Sequence, residues 1–234
     1  MAEKLLQSML RGFHAGVDHQ GEFIVIGLGR FGSALAMTLV DMGHEVLGID
    51  ADPARVQEHS GMLTHVAEAD TTSTKALMQL GVADAVTVAV CIGADVEASV
   101  LTTAALADLG VPNIWAKAFT EPHGRILSRV GAHNVVFPEA EMGMRVAHLL
   151  TGEVLEYFAL DEDFVLIETV APSWLTGTPL GDTNLRRDFK VTIVCIKPDD
   201  GAFTYAESAT VLGPNDLIVV AGHRADVDRF AERP

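Results

Sequence analysis

Apolar and polar positions over the first two thirds of the chain switch between two patterns. Short apolar runs alternate with longer stretches in which apolar residues return every three or four positions. The first pattern marks buried strands and the second amphipathic helices. The spacing predicts strands over 23–26, 45–49, 65–68, 85–92, 114–118 and 135–137. It predicts helices over 31–42, after Asp52-Pro53, and over 73–80, 96–109, 122–130 and 139–150. Such alternation requires crossover connections and therefore a parallel sheet with helices on both faces. The expected fold is α/β, a Rossmann-type doubly wound sheet.

After Gly152 the pattern changes. Strands are expected over 165–170, 192–196, 203–205 and 217–221, and helices over 182–189 and 224–230. Pro198-Asp-Asp-Gly201 and Pro214-Asn-Asp216 carry turn chemistry. This describes a small α+β lobe. The expected division is a tail over 1–20, a nucleotide-binding domain over 21–152 and a second domain over 153–234. Gly12, Gly16 and Asp18 interrupt the amphipathic pattern of the tail.

The densest chemistry lies where the first strand ends, in Gly27-Leu28-Gly29-Arg30-Phe31-Gly32. A Gly-x-Gly-x-x-Gly turn between a strand and a helix is what a phosphate-binding βαβ unit needs. Gly27 allows the tight turn, Gly29 a close approach of backbone to phosphate, and Gly32 a close approach of helix to sheet. The helix beginning near Phe31 then points its free N–H groups and positive dipole end at an anion. Asp50, at the tip of the second strand, can accept from both ribose hydroxyls and repels a 2′-phosphate. An arginine at a helix start sits at an unfavourable end for a cation, which argues that Arg30 grips phosphate. Asp70 and Thr71 follow the third strand at the edge where a base would lie, though both residue types also cap helices. Ile92 and Gly93 follow the fourth strand and would pass beneath base or ribose. Lys117 ends the fifth and is placed to meet phosphate, or to snorkel as a surface lysine. Glu139 follows Pro138 at a helix start, where the dipole alone would explain a carboxylate.

Composition narrows the function. The 234 residues are 49% apolar, ample for a core, and carry a formal charge of −16. That balance argues against nucleic acid and against a polybasic lipid anchor. No apolar run approaches the ~18 residues of a membrane span, and the first residues lack a signal-peptide pattern, so a cytosolic protein is expected. Cys91 and Cys195 sit in apolar runs as free thiols. The nine histidines show no metal-ligand spacing. The second lobe offers no nucleophile elbow, Cys-His pair or His-Asp dyad. A ligand-sensing regulator therefore fits better than an enzyme.

Several ordered segments resemble one family. They are Ile26–Gly32, Gly43-His-Glu-Val46, Gly48-Ile-Asp50, Asn113-Ile-Trp-Ala-Lys117 and Gly131–Glu139 with Glu141-Met-Gly143. In the second lobe they are Pro179–Arg186 and Gly213–Gly222. Together these are similar to the RCK (KTN) proteins, and within them to KtrA-type regulatory subunits of Ktr potassium transporters. The second lobe resembles the RCK C-terminal (TrkA-C) domain. The resemblance implies a non-enzymatic cytoplasmic subunit, peripheral to the membrane, assembled from RCK dimers into an octameric ring. Such a ring gates a KtrB-like K⁺ pore, with ATP activating and ADP inactivating. It further implies that Arg30 reaches the terminal phosphate of a neighbour's nucleotide. Glu139 would help to hold Mg²⁺ or Ca²⁺ between nucleotides, and Lys117 would meet phosphate. Arg186 matches an arginine of a cyclic di-AMP site in some relatives, but a proline of that site is Ala206 here, which weakens the match. NAD(H) remains the alternative ligand, either in an RCK sensor or in a small NAD-dependent oxidoreductase, because Asp50 suits either nucleotide.

Overall fold

The computed structural model describes residues 23–150, 154–161 and 163–232. The expected tail over 1–20 and the expected boundary at 152–153 lie outside the described residues. The chain divides into two compact units, Met1–Glu139 and Ala140–Pro234.

The first unit runs β1 (Phe23–Ile26), α1 (Arg30–Asp41), β2 (Val46–Asp50), α2 (Pro53–His59), β3 (His65–Glu68) and α3 (Thr74–Gln79). It continues through a 3₁₀ turn, Val82–Asp84, then β4 (Thr87–Val90), α4 (Val96–Asp108), β5 (Ile114–Lys117), α5 (Glu121–Val130) and β6 (Asn134–Val136). α6 (Pro138–Leu150) follows. The strands form one parallel sheet in the order β3-β2-β1-β4-β5-β6. This is the doubly wound sheet expected, with its switch point between β1 and β4. Alternation along β1 divides its side chains between two layers. Ile24 and Ile26 pack with Leu77, Leu106 and Leu127 of α3, α4 and α5. Val25 packs on the other face with Ala36 of α1, Leu28 and Leu63.

Local chemistry sets the helix starts. Asp52, Ser73, Asp95 and Thr120 cap α2, α3, α4 and α5, each accepting from a backbone N–H of the first turn. Ser73 takes the cap expected of Asp70 or Thr71, so neither is a helix cap. α1 alone among these five starts on a glycine, Gly29, with no side chain capping it.

The second unit carries β7 (Glu156–Ala159), β8 (Phe164–Val170), α7 (Leu185–Asp188), β9 (Thr192–Lys197), β10 (Thr204–Tyr205), β11 (Leu217–His223) and α8 (Arg224–Ala231). Its antiparallel sheet has the order β10-β9-β11-β8-β7. Val165, Ile167, Ile218 and Val220 face a core closed by Val227 and Phe230 of α8. Two expectations need correction. The helix expected over 182–189 is a 3₁₀ turn, Leu180–Asp182, followed by α7, because Thr183 is extended and its hydroxyl donates to the Leu180 carbonyl. The strand β7 was not expected. Its buried residue is Tyr157, while Phe158 and Leu160 stand about half exposed, which blurs the alternation a strand should show.

Two glycines give a contrast in packing. A Cβ on Gly32 would lie 1.8 Å from the Gly27 carbonyl oxygen, whereas one on Gly143 in α6 meets nothing within 4 Å. Gly32→Ala should destabilise the protein by about 3 kcal/mol. Gly143→Ala should stabilise by about 0.5–1 kcal/mol through helix propensity. Urea unfolding of both variants checks the pair of signs.

Candidate functional site

The glycine turn is bonded to the strands on both sides of β1. Gly27 N–H donates to Ile49 O of β2, and Cys91 N–H donates to Ile26 O, each at 2.7 Å. Gly27 has φ +93°, and a Cβ there would meet Cys91 and Ile92 backbone at 3.0–3.3 Å. This is the left-handed, crowded position that only glycine fills without strain. Gly32 allows the first turn of α1 to lie against Gly27. Without a capping side chain, the first N–H groups of α1 open at the carboxyl edge of the sheet, as an anion site requires.

On the β2 side, Asp50 is buried and braces the loop. Its Oδ2 accepts from Leu28 N–H at 2.7 Å and its Oδ1 from Asp52 N–H at 2.9 Å. Arg55 of α2 donates to Oδ2 at 3.3 Å. Asp50 is thus a structural acceptor as well as a candidate ribose acceptor. The sequence reading did not find Arg55. The signal was present, since a helix opening at Pro53 directly after β2 returns its first turn over the strand tip.

On the β4–β5 side, Lys117 is nearly buried and bonds Glu139 Oε1 at 2.5 Å. This overturns the snorkelling alternative. Lys117 Nζ lies 5.6 Å from the centre of the Phe31 ring and 3.3 Å from where a Cβ of Gly93 would stand. The Lys117 hydrogen bond, and to a much smaller degree the charge of Arg30, exposed at the start of α1, holds the Glu139 carboxyl below the usual range. The Ile92 backbone thus lies against Gly27, and Gly93 against Lys117, which also approaches Phe31 and Glu139. Among the described residues no group of three or more His, Cys, Asp or Glu side chains is arranged to hold a metal ion.

Asp70 and Thr71 have other local partners. Asp70 accepts from the Thr72 hydroxyl and N–H, and these bonds hold its carboxyl low. Thr71 is buried with its hydroxyl bonded to Thr102 of α4 at 2.9 Å. Cys91, beneath the turn, is buried, and burial pushes its thiol up to about 12. Among the described residues, His59 and His123 are also buried. In the second unit, Arg186 donates to Thr192 Oγ1 at 3.2 Å and lines a cavity of about 520 Å³ with Asn184, Arg187, Ala206 and Glu207.

Residues 23–138 match the TrkA-N domain and 164–233 the TrkA-C domain. The chain is 36% identical over 210 residues to Ktr system potassium uptake protein A of Bacillus subtilis (strain 168), covering 89% of this chain and 95% of that protein. It belongs to the KtrA-like family of TrkA-N/TrkA-C proteins. Ktr system potassium uptake protein C of the same organism is 37% identical, over 91% of this chain and 96% of that protein. Among solved structures, the GsuK RCK domain shares the fold with a TM-score of 0.62 at 18% identity. That match covers 92% of this chain, which spans about half of the GsuK chain, 48%. The GsuK channel bound to NAD matches with a TM-score of 0.61 at 18% identity, over 96% of this chain and 42% of that one. These KtrA-like relatives are named for potassium uptake.

Two outcomes follow from the site alone. Asp50→Ala leaves the Leu28 and Asp52 N–H groups without their acceptor and should cost about 2–4 kcal/mol in urea unfolding of the ligand-free protein. Glu139 has a depressed folded pKa, so its stabilising contribution is present above its usual value of 4.5 and is lost as pH falls through the lower folded value. The stability gap between parent and Glu139→Gln should therefore close on acidification below about pH 4.5. A gap that persists at the acid end would show that the ion pair is not its source.

Proposed function

We propose that the chain is a cytoplasmic nucleotide-sensing subunit that regulates a membrane K⁺ transporter. Its membership in the Ktr family supports the transport role, and none of the helices among the described residues is long and apolar enough to cross a membrane. The pore would then belong to a separate KtrB-like subunit. The observation that carries the nucleotide reading is the uncapped N-terminus of α1 in the glycine turn, with Asp50 on one side and Arg30 and Lys117 on the other. In this reading Gly27, Leu28, Gly29, Phe31 and Gly32 form the phosphate turn. Asp50 receives the ribose, and Asp70, Thr71, Ile92 and Gly93 border the base and ribose. With its hydroxyl engaged by Thr102, Thr71 contributes backbone groups.

ATP and ADP compete for this site. They shift the protein between two states of an RCK assembly, built from dimers into an octameric ring, only by as much as their affinities for those states differ. The γ-phosphate is the chemical difference, and Arg30 and Lys117 are the cations available to read it. Glu139 supplies one carboxylate to Mg²⁺ or Ca²⁺, the remaining ligands coming from phosphate oxygens. Arg186 and the cavity around it form a second ligand site in the TrkA-C unit.

NAD(H) is the second reading. It is favoured by the GsuK channel having been solved with NAD and by an Asp50 that suits any unmodified ribose. Calorimetric titration with ATP, ADP, NAD⁺ and NADH separates the two. The proposal expects ATP and ADP to bind more tightly than either dinucleotide, and ATP, but not ADP, to raise K⁺ flux through a reconstituted membrane partner. Exclusive binding of NAD(H) would replace it with the second reading. Mg²⁺ or Ca²⁺ should tighten ATP binding by about tenfold in the parent and by much less in Glu139→Gln. Equal cation responses in the two proteins would remove Glu139 from the cation site.

A further inference from the structure

We propose that Arg55 is a specificity-determining residue of the glycine-turn site, favouring adenine nucleotides that carry phosphate over the bare nucleoside. The inference rests on the nucleotide reading above.

Arg55 is fixed against the turn through its backbone. His59, buried at the end of α2, has its Nδ1 2.8 Å from the Arg55 carbonyl oxygen and its Nε2 2.6 Å from Ser33 Oγ in the first turn of α1. A carbonyl only accepts, so Nδ1 carries a proton and donates to it, while Nε2 pairs with the Ser33 hydroxyl. The chain Ser33–His59–Arg55 thus registers α2 against the helix whose N-terminus forms the anion site.

The side chain of Arg55 stands between two parts of that site. Its Nη1 is 3.3 Å from Asp50 Oδ2 and 3.8 Å from where a Cβ of Gly29 would lie. A carboxylate offers about four lone-pair positions. On Asp50, Leu28 N–H and Arg55 fill Oδ2, and Asp52 N–H takes one position on Oδ1. A ribose that donates from both hydroxyls needs two positions where one is left, so one contact has to open, and the Arg55 contact is the longest of the three.

The Asp50 side chain is only 8% exposed, whereas that of Arg55 is 48% exposed and its Nε lies 3.7 Å from Asp52 Oδ2, so a guanidinium released from Asp50 falls back on water and this longer contact unless another anion is offered. A phosphate held over Gly29 is within its reach and suits its forked donors. A nucleoside brings the diol and no anion, so it opens the contact with only water and Asp52 to offset the loss. Arg55 thereby penalises adenosine and is repaid by ADP or ATP.

The test compares adenosine, ADP and ATP by calorimetry on the parent and on Arg55→Met, which keeps the apolar stem and loses the charge. The variant should bind adenosine about threefold more tightly and ADP and ATP about fivefold more weakly, lowering the preference for ADP by about tenfold or more. Arg55→Lys, which retains the charge, should keep most of that preference. Equal weakening of all three ligands would make Arg55 a structural residue and overturn the inference, as would an unchanged preference. Both results leave the nucleotide reading standing. A parent that binds none of the three overturns the nucleotide reading and this inference together.

Discussion

The first turn of α1 rests on the backbone of the turn that precedes it, and the geometry of the site follows from that contact. Only a residue without a Cβ fits at Gly32, because the Gly27 carbonyl occupies the space a side chain would need. The approach brings the uncapped start of α1 to the carboxyl edge of the sheet, between the tips of β2 and β4. Bonds from Gly27 to Ile49 and from Cys91 to Ile26 extend the parallel ladder one step past β1, so the turn inherits the rigidity of the sheet. Asp50 then holds Leu28 from the side. A mobile loop would have to be ordered by its ligand; this one is held by hydrogen bonds to both neighbouring strands.

What could be read from the chain was mostly local or periodic. The alternation of apolar runs with helical spacing identifies all six strands of the parallel sheet, most clearly the inner strands β1, β2, β4 and β5, since a strand buried on both faces leaves a continuous apolar run. The glycine spacing and Asp50 mark the turn and the neighbouring strand tip for the same reason. Where several polar residues compete for one job, the sequence is less informative. Asp70, Thr71 and Ser73 are all able to cap α3, and Ser73 does so because Asp70 already binds Thr72 and Thr71 binds Thr102. In the second unit, β7 escaped notice because its outward face carries apolar side chains such as Phe158.

The least legible relationships join residues far apart in the chain. Lys117 and Glu139 lie on different elements and meet because β5 ends at the same sheet edge where α6 begins. Ser33 and His59 are 26 residues apart and meet because α1 and α2 share a face of the sheet. No local pattern announces either pair. The site consequently holds more built-in polar structure than a list of candidate ligands suggests: Asp50, Lys117 and Glu139 each have a protein partner for a ligand to replace or share.

The burial of Cys91 has a chemical consequence. Burial pushes its thiol up to about 12, so the thiolate, the species that reacts with peroxides and alkylating agents, is scarce at neutral pH. Packed against Gly27 through its backbone and Gly32 through its Cβ, the residue is only 7% exposed and so is poorly accessible to a second thiol. The stem of the glycine turn is thus insulated from the redox state of its surroundings, and a shift in thiol balance leaves its geometry unchanged.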